Sequence, residues 1–459
     1  MTTRIPITEL IFPEYDDKDV IAAFDYFMTF MTPDQWQKRK QAIEEYLSNF
    51  HSDSPPLSKP VSDGLLLVIE KDRIGWYLYL VHCLIHEPHK YEYYQGARIV
   101  PIFKRIGMDI DLLPSLDGLR KKISDLIKKR PIEADQILFE FLAALAWKRN
   151  GYQVEFLPEE ADKTPDLLVR KEDKSYQVEC KRQQKSGGYF YEETLLRQKM
   201  VHHIIPFVLA HNYLLEITFH VELKTLPETY LIDLFRLENS KIKEKNWRLS
   251  NEKIEIIAST FDLKMINTQL LKYHIKYNSP QLLELLAKKP IDYEGFTVAL
   301  NSTGYHVGEG LANNRYIHQI TNAAGVKCTC DSLQAYIGKA RDLDRLLAKA
   351  LRQLTLPYEA VIHIGMETFD GPAVERERLK KIVKTIESIN PEKTRLSWLF
   401  THFFQSYSRS NQEWIFDESV DVASSYVVPI TPLPKNFLVI PEEADIINNS
   451  RHWDRPLPQ

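Results

Sequence analysis

Apolar residues recur at three- and four-residue spacing over residues 16–31, 34–50 and 73–85, the period of helices that bury one face. A further helix is expected over about 115–129, ending in the basic group Lys128, Lys129, Arg130 ahead of Pro131. Ser52-Asp-Ser-Pro-Pro-Leu-Ser-Lys-Pro interrupts this series and reads as a loop, because proline and serine punctuate regular structure. The pattern then changes. Residues 132–150 are apolar on nearly every side and stop at Asn150-Gly151, a pair suited to ending a helix. Short alternating segments follow at 153–157, 166–170 and 176–181, then a helix at about 192–210 and a strand at 214–223. Residues 224–293 mix short helices with a strand at 253–258, and 296–300 reads as another strand. A long helix over about 333–354 leads into Ala360-Val-Ile-His-Ile-Gly, the unbroken apolar run of a buried strand. A helix at about 374–388 and a strand at 396–402 follow, and the proline-rich residues 429–459 are expected to be irregular. Alternating helices and strands from 132 to 402 predict an α/β core behind an all-helical front.

Composition narrows the class. At about 150 residues per domain, 459 residues make two to four domains. A hydrophobic fraction of 44% and a charged fraction of 27% are those of an ordinary globular chain and exclude collagen-like, mucin-like and largely disordered proteins. No apolar run reaches the ~18 residues of a membrane span, and Met1-Thr-Thr-Arg-Ile-Pro lacks the apolar core of an export signal. Four cysteines are too few for a disulfide scaffold, so a cytoplasmic setting is expected. A net charge of −4 gives no chain-wide basic footprint, so nucleic-acid binding would have to come from local patches. There is no Gly-Lys-Ser/Thr phosphate loop, hence no expected nucleotide cofactor site.

Chemistry concentrates between residues 137 and 185. Glu140 is the one charged residue in Ile-Leu-Phe-Glu-Phe-Leu-Ala-Ala-Leu-Ala-Trp, and a carboxylate on such a helix needs a cation or donor to offset its desolvation. Pro165-Asp166 opens a strand whose alternation puts Asp166, Leu168 and Arg170 on one face. In Tyr176-Gln-Val-Glu-Cys-Lys, the same period puts Gln177, Glu179 and Lys181 on one face and Tyr176, Val178 and Cys180 on the other. A surface ion pair is the simplest reading of Glu179 and Lys181 alone. A hairpin turning near residues 171–174 brings Asp166 and Glu179 together, within reach of one ion. Two carboxylates suit a hard divalent cation such as Mg²⁺, with Glu140 able to complete the shell. Lys181 beside it could orient water or stabilise charge on a phosphate.

Pro165-Asp166, then Glu179-Cys180-Lys181, with a helical Glu140 upstream, resembles the PD-(D/E)XK nuclease superfamily. The resemblance covers roughly residues 133–210. It implies a restriction-endonuclease-like mixed sheet flanked by helices, with Asp166 and Glu179 as metal ligands, the Cys180 carbonyl as a further ligand, Lys181 as the catalytic lysine and Glu140 as the helix glutamate. On this reading the chain divides into a helical domain at 1–130, a nuclease-like domain at 131–428 with an insertion at about 224–330, and a tail at 429–459. The implied function is Mg²⁺-dependent hydrolysis of phosphodiester bonds, with Mn²⁺ able to substitute, and DNA as the favoured substrate. Superfamily members act in restriction, repair, recombination and defence against phage, and a helical front without a helicase suits a defence effector. A ribonuclease, or an inactive copy that binds nucleic acid or scaffolds a partner, remains the alternative, and a partner protein or homo-oligomer stays open.

Weaker candidates surround this core. Gln183, Gln184 and Lys185 follow the lysine directly, and Lys349 and Gln353 share one helical face that could reach the site. Lys128, Lys129, Arg130, Arg182 and Lys185 are candidate phosphate contacts. His82, Cys83, His86 and His89, and the pair Cys328 and Cys330, are better read as packing residues than as a zinc site.

Overall fold

The computed structural model describes residues 5–6, 12–49, 71–158, 164–183, 188–238, 242, 245–289, 294–368, 371–388, 395–425, 430–444, 447 and 450–454. The expected loop at 52–60 lies outside them. In chain order the elements are β1 (Ile5–Pro6), α1 (Lys18–Met28), α2 (Pro33–Asn49), α3 (Arg73–His86), α4 (Tyr93–Met108), β2 (Leu116–Asp117), α5 (Leu119–Lys128) and α6 (Ala134–Arg149). Next come β3 (Gln153–Phe156), β4 (Leu167–Lys171), β5 (Lys174–Arg182), α7 (Gly188–His211), β6 (Tyr213–Phe219), α8 (Tyr230–Leu237), β7 (Trp247–Ser250), β8 (Ile254–Thr260), α9 (Leu263–Leu270), β9 (Tyr273–Lys276) and α10 (Pro280–Ala287). The remainder are β10 (Phe296–His306), β11 (Arg315–Cys330), α11 (Leu333–Lys339), α12 (Asp342–Leu351), β12 (Glu359–Glu367), α13 (Pro372–Ser388), β13 (Leu396–Arg409) and β14 (Gln412–Ser424).

These strands form two mixed sheets, and the chain is an α/β protein. One sheet runs β14-β13-β12-β5-β4-β3-β2, with β5 central, antiparallel to β4 and parallel to β12. The other runs β1-β9-β11-β6-β8-β7, with β10 paired to β11. The apolar run at 360–365 is a buried central strand, as its composition requires. The second sheet draws most of its strands from the segment between β5 and β12. It begins at β6, earlier than residue 224, because β6 pairs with β11 and β8 and not with the sheet that holds β5.

Local chemistry explains the element that positions the site. Helix α6 is rich in Ala and Leu, carries Lys148 and Arg149 in its last turn, and ends where Gly151 adopts φ 85°. There the Gly151 and Tyr152 N–H groups bond back to Lys148 O and Trp147 O, at 2.9 and 3.2 Å. The helix is buried from Ala134 to Trp147 apart from Asp135 and Gln136, because α1, α3, α4 and α5 share one apolar cluster with it and with β3, β4 and β5. Gly365 lets β12 approach α6, since a Cβ there would lie 2.4 Å from the Phe139 ring.

Three features depart from the sequence expectations. Helix α4 was not anticipated: Pro101 lies inside it and burial on several sides, including Gln95 and Arg105, blurs its period. The expected helix at 333–354 is two helices, because α11 packs on α7 and α13 whereas α12 packs on β5 and β12. The tail lacks strands but is firmly docked. Glu418, fully buried on β14, accepts the N–H groups of Leu438, Val439 and Ile440 at 2.8, 2.8 and 3.2 Å. It also ends a buried chain from Trp147 Nε1 through His363 and His402, with links of 3.2, 3.0 and 3.1 Å. Trp147 Nε1 can only donate, so both histidines carry their proton on Nδ1 and are neutral.

Candidate active site

The site forms where β4 and β5 part. Their ladder pairs Leu167 with Val178 and continues one step, as the Asp166 N–H donates to Val178 O at 3.1 Å. Beyond it β5 runs on to Arg182 with no strand on that side. The N–H and C=O of Cys180 and the N–H of Arg182 therefore need other partners. Two side chains supply them. Asp166 Oδ2 accepts the Cys180 N–H at 2.8 Å. Gln136, from the first turn of α6, donates Nε2 to Cys180 O at 2.8 Å and accepts the Arg182 N–H on Oε1 at 2.9 Å. Its amide thus replaces a neighbouring peptide group at the strand edge.

Glu179 and Lys181 are adjacent on the β5 face that α12 covers, and they form an ion pair. Both are buried, Glu179 fully and Lys181 to 7% exposure, which rules out the surface ion pair. Gln177 on the same face is sealed by bonds to Leu356 and Tyr358 carbonyls at 2.7 and 2.8 Å. Glu179 Oε2 is buried without a hydrogen-bond partner. Glu140 reaches the same region from α6, held by Lys122 Nζ at 2.7 Å and Gln136 Nε2 at 2.8 Å.

The electrostatics follow from gathering acids in a dry place. Burial, then the charges of Glu140 and Glu179, hold the Asp166 carboxyl well above the usual carboxylate range. Burial pushes Glu179 up to about 7 despite Lys181, and Lys349 on α12 pulls it the other way. Burial disfavours the Lys181 ammonium, but Glu179 and Asp166 outweigh it and raise its pKa. The cluster is short of positive charge, which is what a divalent cation would supply. Asp166 retains lone pairs beyond the one used by Cys180, and Glu179 offers its unpartnered Oε2. Among the described residues no three His, Cys, Asp or Glu side chains are already gathered into a metal centre.

The other sequence candidates separate. The Cys180 carbonyl is engaged by Gln136, and its thiol is buried with its pKa well raised by burial. Arg182 does not face solvent as a phosphate contact would. Its Nη2 bonds Glu367 Oε1 at 2.6 Å, Phe404 lies 4.6 Å from the guanidinium, and Glu367 also takes a two-pronged pair from Arg98 at 2.8 and 2.7 Å. Gln183 follows, with its N–H on Gly365 O at 2.8 Å and a buried Oε1 that has no partner. Gln184 and Lys185 lie outside the described residues. Lys128 and Lys129 are exposed, Lys129 pairing with Asp125 at 2.7 Å, and Arg130 pairs with Glu133. Lys349 is exposed but felt by Glu179, and Gln353 is half-buried just beyond α12. His82 is tied to Lys40 and Glu87, each at 3.2 Å, and the four cysteines are free thiols.

Sequence reasoning missed Gln136 and counted Lys122 only as part of a basic patch. The signal for Gln136 was its place four residues before Glu140, on the same helical face. No helix of the described residues is long and apolar enough to cross a membrane. The chain matches no family model, no curated protein and no solved structure.

Proposed function

We propose that this chain is a divalent-metal-dependent nuclease of the PD-(D/E)XK type, acting on phosphodiester bonds with DNA as the favoured substrate. The observation that carries the reading is the meeting of Asp166, Glu179 and Lys181 where β4 leaves β5. Asp166 and Glu179 would hold the cation, since their oxygens prefer a hard ion and their shared negative charge opposes ionisation without one. A bound Mg²⁺ or Mn²⁺ would supply Lewis acidity and lower the pKa of water. Lys181, a cation at neutral pH, would face the charge that builds on the phosphate in the transition state. The Gln136 bonds fix the strand edge that carries both groups, so α6 positions the chemistry without taking part in it.

The test is cleavage of plasmid DNA and of a structured RNA by the purified chain with Mg²⁺, Mn²⁺ or chelator. Metal-dependent DNA cleavage that disappears in a folded Asp166→Asn variant supports the reading. Faster cleavage of RNA would make the enzyme a ribonuclease. Tight nucleic-acid binding with no cleavage under either metal would make the chain a binding module.

A further inference from the structure

We infer that this site takes one divalent cation and not two, because the Lys122 ammonium, fixed on Glu140, stands where a second cation would. The inference rests on the metal-dependent reading above and specifies how that site is filled.

Both Glu140 oxygens are already committed to donors from the chain itself. Oε2 lies 2.7 Å from Lys122 Nζ, and Oε1 accepts from Gln136 Nε2 at 2.8 Å. Neither donor is free to leave. Gln136 is tied at the same time to Cys180 O and to the Arg182 N–H, so moving it would open the edge of β5. Lys122 is delivered by α5, which is anchored through buried Leu119, Ile123, Leu126 and Ile127. Its side chain is 12% exposed, whereas Lys128 and Lys129 at the end of the same helix face solvent. Were Glu140 to turn to a metal ion, it would leave a nearly buried ammonium without its carboxylate.

The charges agree. Asp166, Glu179 and Glu140 with Lys181 and Lys122 leave the ionised cluster one negative charge. One divalent cation makes it singly positive, which complements the single negative charge of a phosphodiester. A second would add two uncompensated charges in a site of low polarity. Lys122 and Glu140 are therefore positioning residues, an internal cation and its anchor. Asp166 and Glu179 alone would touch the metal.

Mn²⁺ binding to the chain, followed by calorimetry and by the electron paramagnetic resonance signal of free Mn²⁺, separates the cases. The parent should bind one ion. Glu140→Gln should leave both stoichiometry and Kd nearly unchanged, whereas Asp166→Asn should weaken binding by about tenfold or more. Lys122→Met should release Glu140 and admit a second ion, and Lys122→Arg should restore a stoichiometry of one. If Lys122→Met does not fold, the double variant Lys122→Met, Glu140→Gln keeps the pair neutral and should bind one ion with the parent's affinity. Two ions in the parent, a roughly tenfold loss in Glu140→Gln, or a single ion in folded Lys122→Met would each overturn the inference and leave the metal-dependent reading in place. No Mn²⁺ binding by the folded parent would overturn both.

Discussion

Replacing Lys181 with methionine keeps most of the side-chain volume and removes the ammonium, so it isolates the charge. On a solvated strand face such a change would alter stability by under ~1 kcal/mol. Here Lys181 is 7% exposed and its partner Glu179 is fully buried. Removing one member of a buried pair costs about 3–5 kcal/mol, because the other charge stays behind uncompensated. That cost should depend on pH in a defined direction. Burial already lifts Glu179 from its usual value to about 7, and losing Lys181 lifts it further. A carboxyl whose folded pKa is raised binds its proton more tightly in the folded state. Stability is then lost as pH rises from the unfolded value toward the folded one. At about pH 5 Glu179 is protonated in parent and variant alike, and the substitution should cost little. Near pH 8.5 Glu179 is ionised in the parent, and the full penalty should appear. At roughly 2 °C per kcal/mol, melting temperatures measured in chelator should differ by about 6–10 °C at the higher pH. An equal difference at both pH values would show that Lys181 acts through packing, and none at pH 8.5 would show that the pair is not buried in solution.

Three further outcomes follow from the same geometry. Mn²⁺ affinity should rise at least about tenfold per pH unit up to about pH 7 and then flatten, because the ion must displace the proton held by Glu179; a flat titration would place the ion elsewhere. Glu367→Gln should destabilise by about 3–5 kcal/mol in thermal unfolding, since one carboxylate serves the buried guanidinium groups of Arg98 and Arg182, and an unchanged melting temperature would refute that role. Gly365→Ala should cost about 1–3 kcal/mol by forcing α6 away from β12, and full stability in that variant would mean that the Phe139 ring yields freely.

The sequence made the β4–β5 hairpin legible because a period of two fixes faces without knowledge of neighbours, and Glu179 and Lys181 do lie side by side. It also marked α6 and β12, whose apolar runs leave few other places to go. It could not show that the polar face of β5 is buried, since the cover comes from α12 and from carbonyls 179 and 181 residues away. Arg182 read as a phosphate contact for a similar reason: its acid, Glu367, lies 185 residues further along the chain. Lys122 is hardest to read, because a lysine on an amphipathic helix looks the same whether it meets solvent or a buried glutamate. The second sheet was legible only in pieces, since its longest strand, β11, mixes polar and apolar positions without a steady period.

What links the fold to the chemistry is a defect in the sheet. If β4 continued beside β5, the Cys180 peptide would be satisfied by backbone and no side chain would be needed there. Because it turns away, the unmet N–H draws in the Asp166 carboxylate and the unmet C=O draws in the Gln136 amide. The first brings a negative charge to within the field of Glu179, and the second brings α6 and with it Glu140. The acids are thus gathered by backbone hydrogen bonds that the fold must make in any case. Their mutual repulsion is borne by a sheet stable enough to hold them, and Lys181 and Lys122 reduce that repulsion without removing it. A site assembled this way stays charged toward a cation even when none is bound.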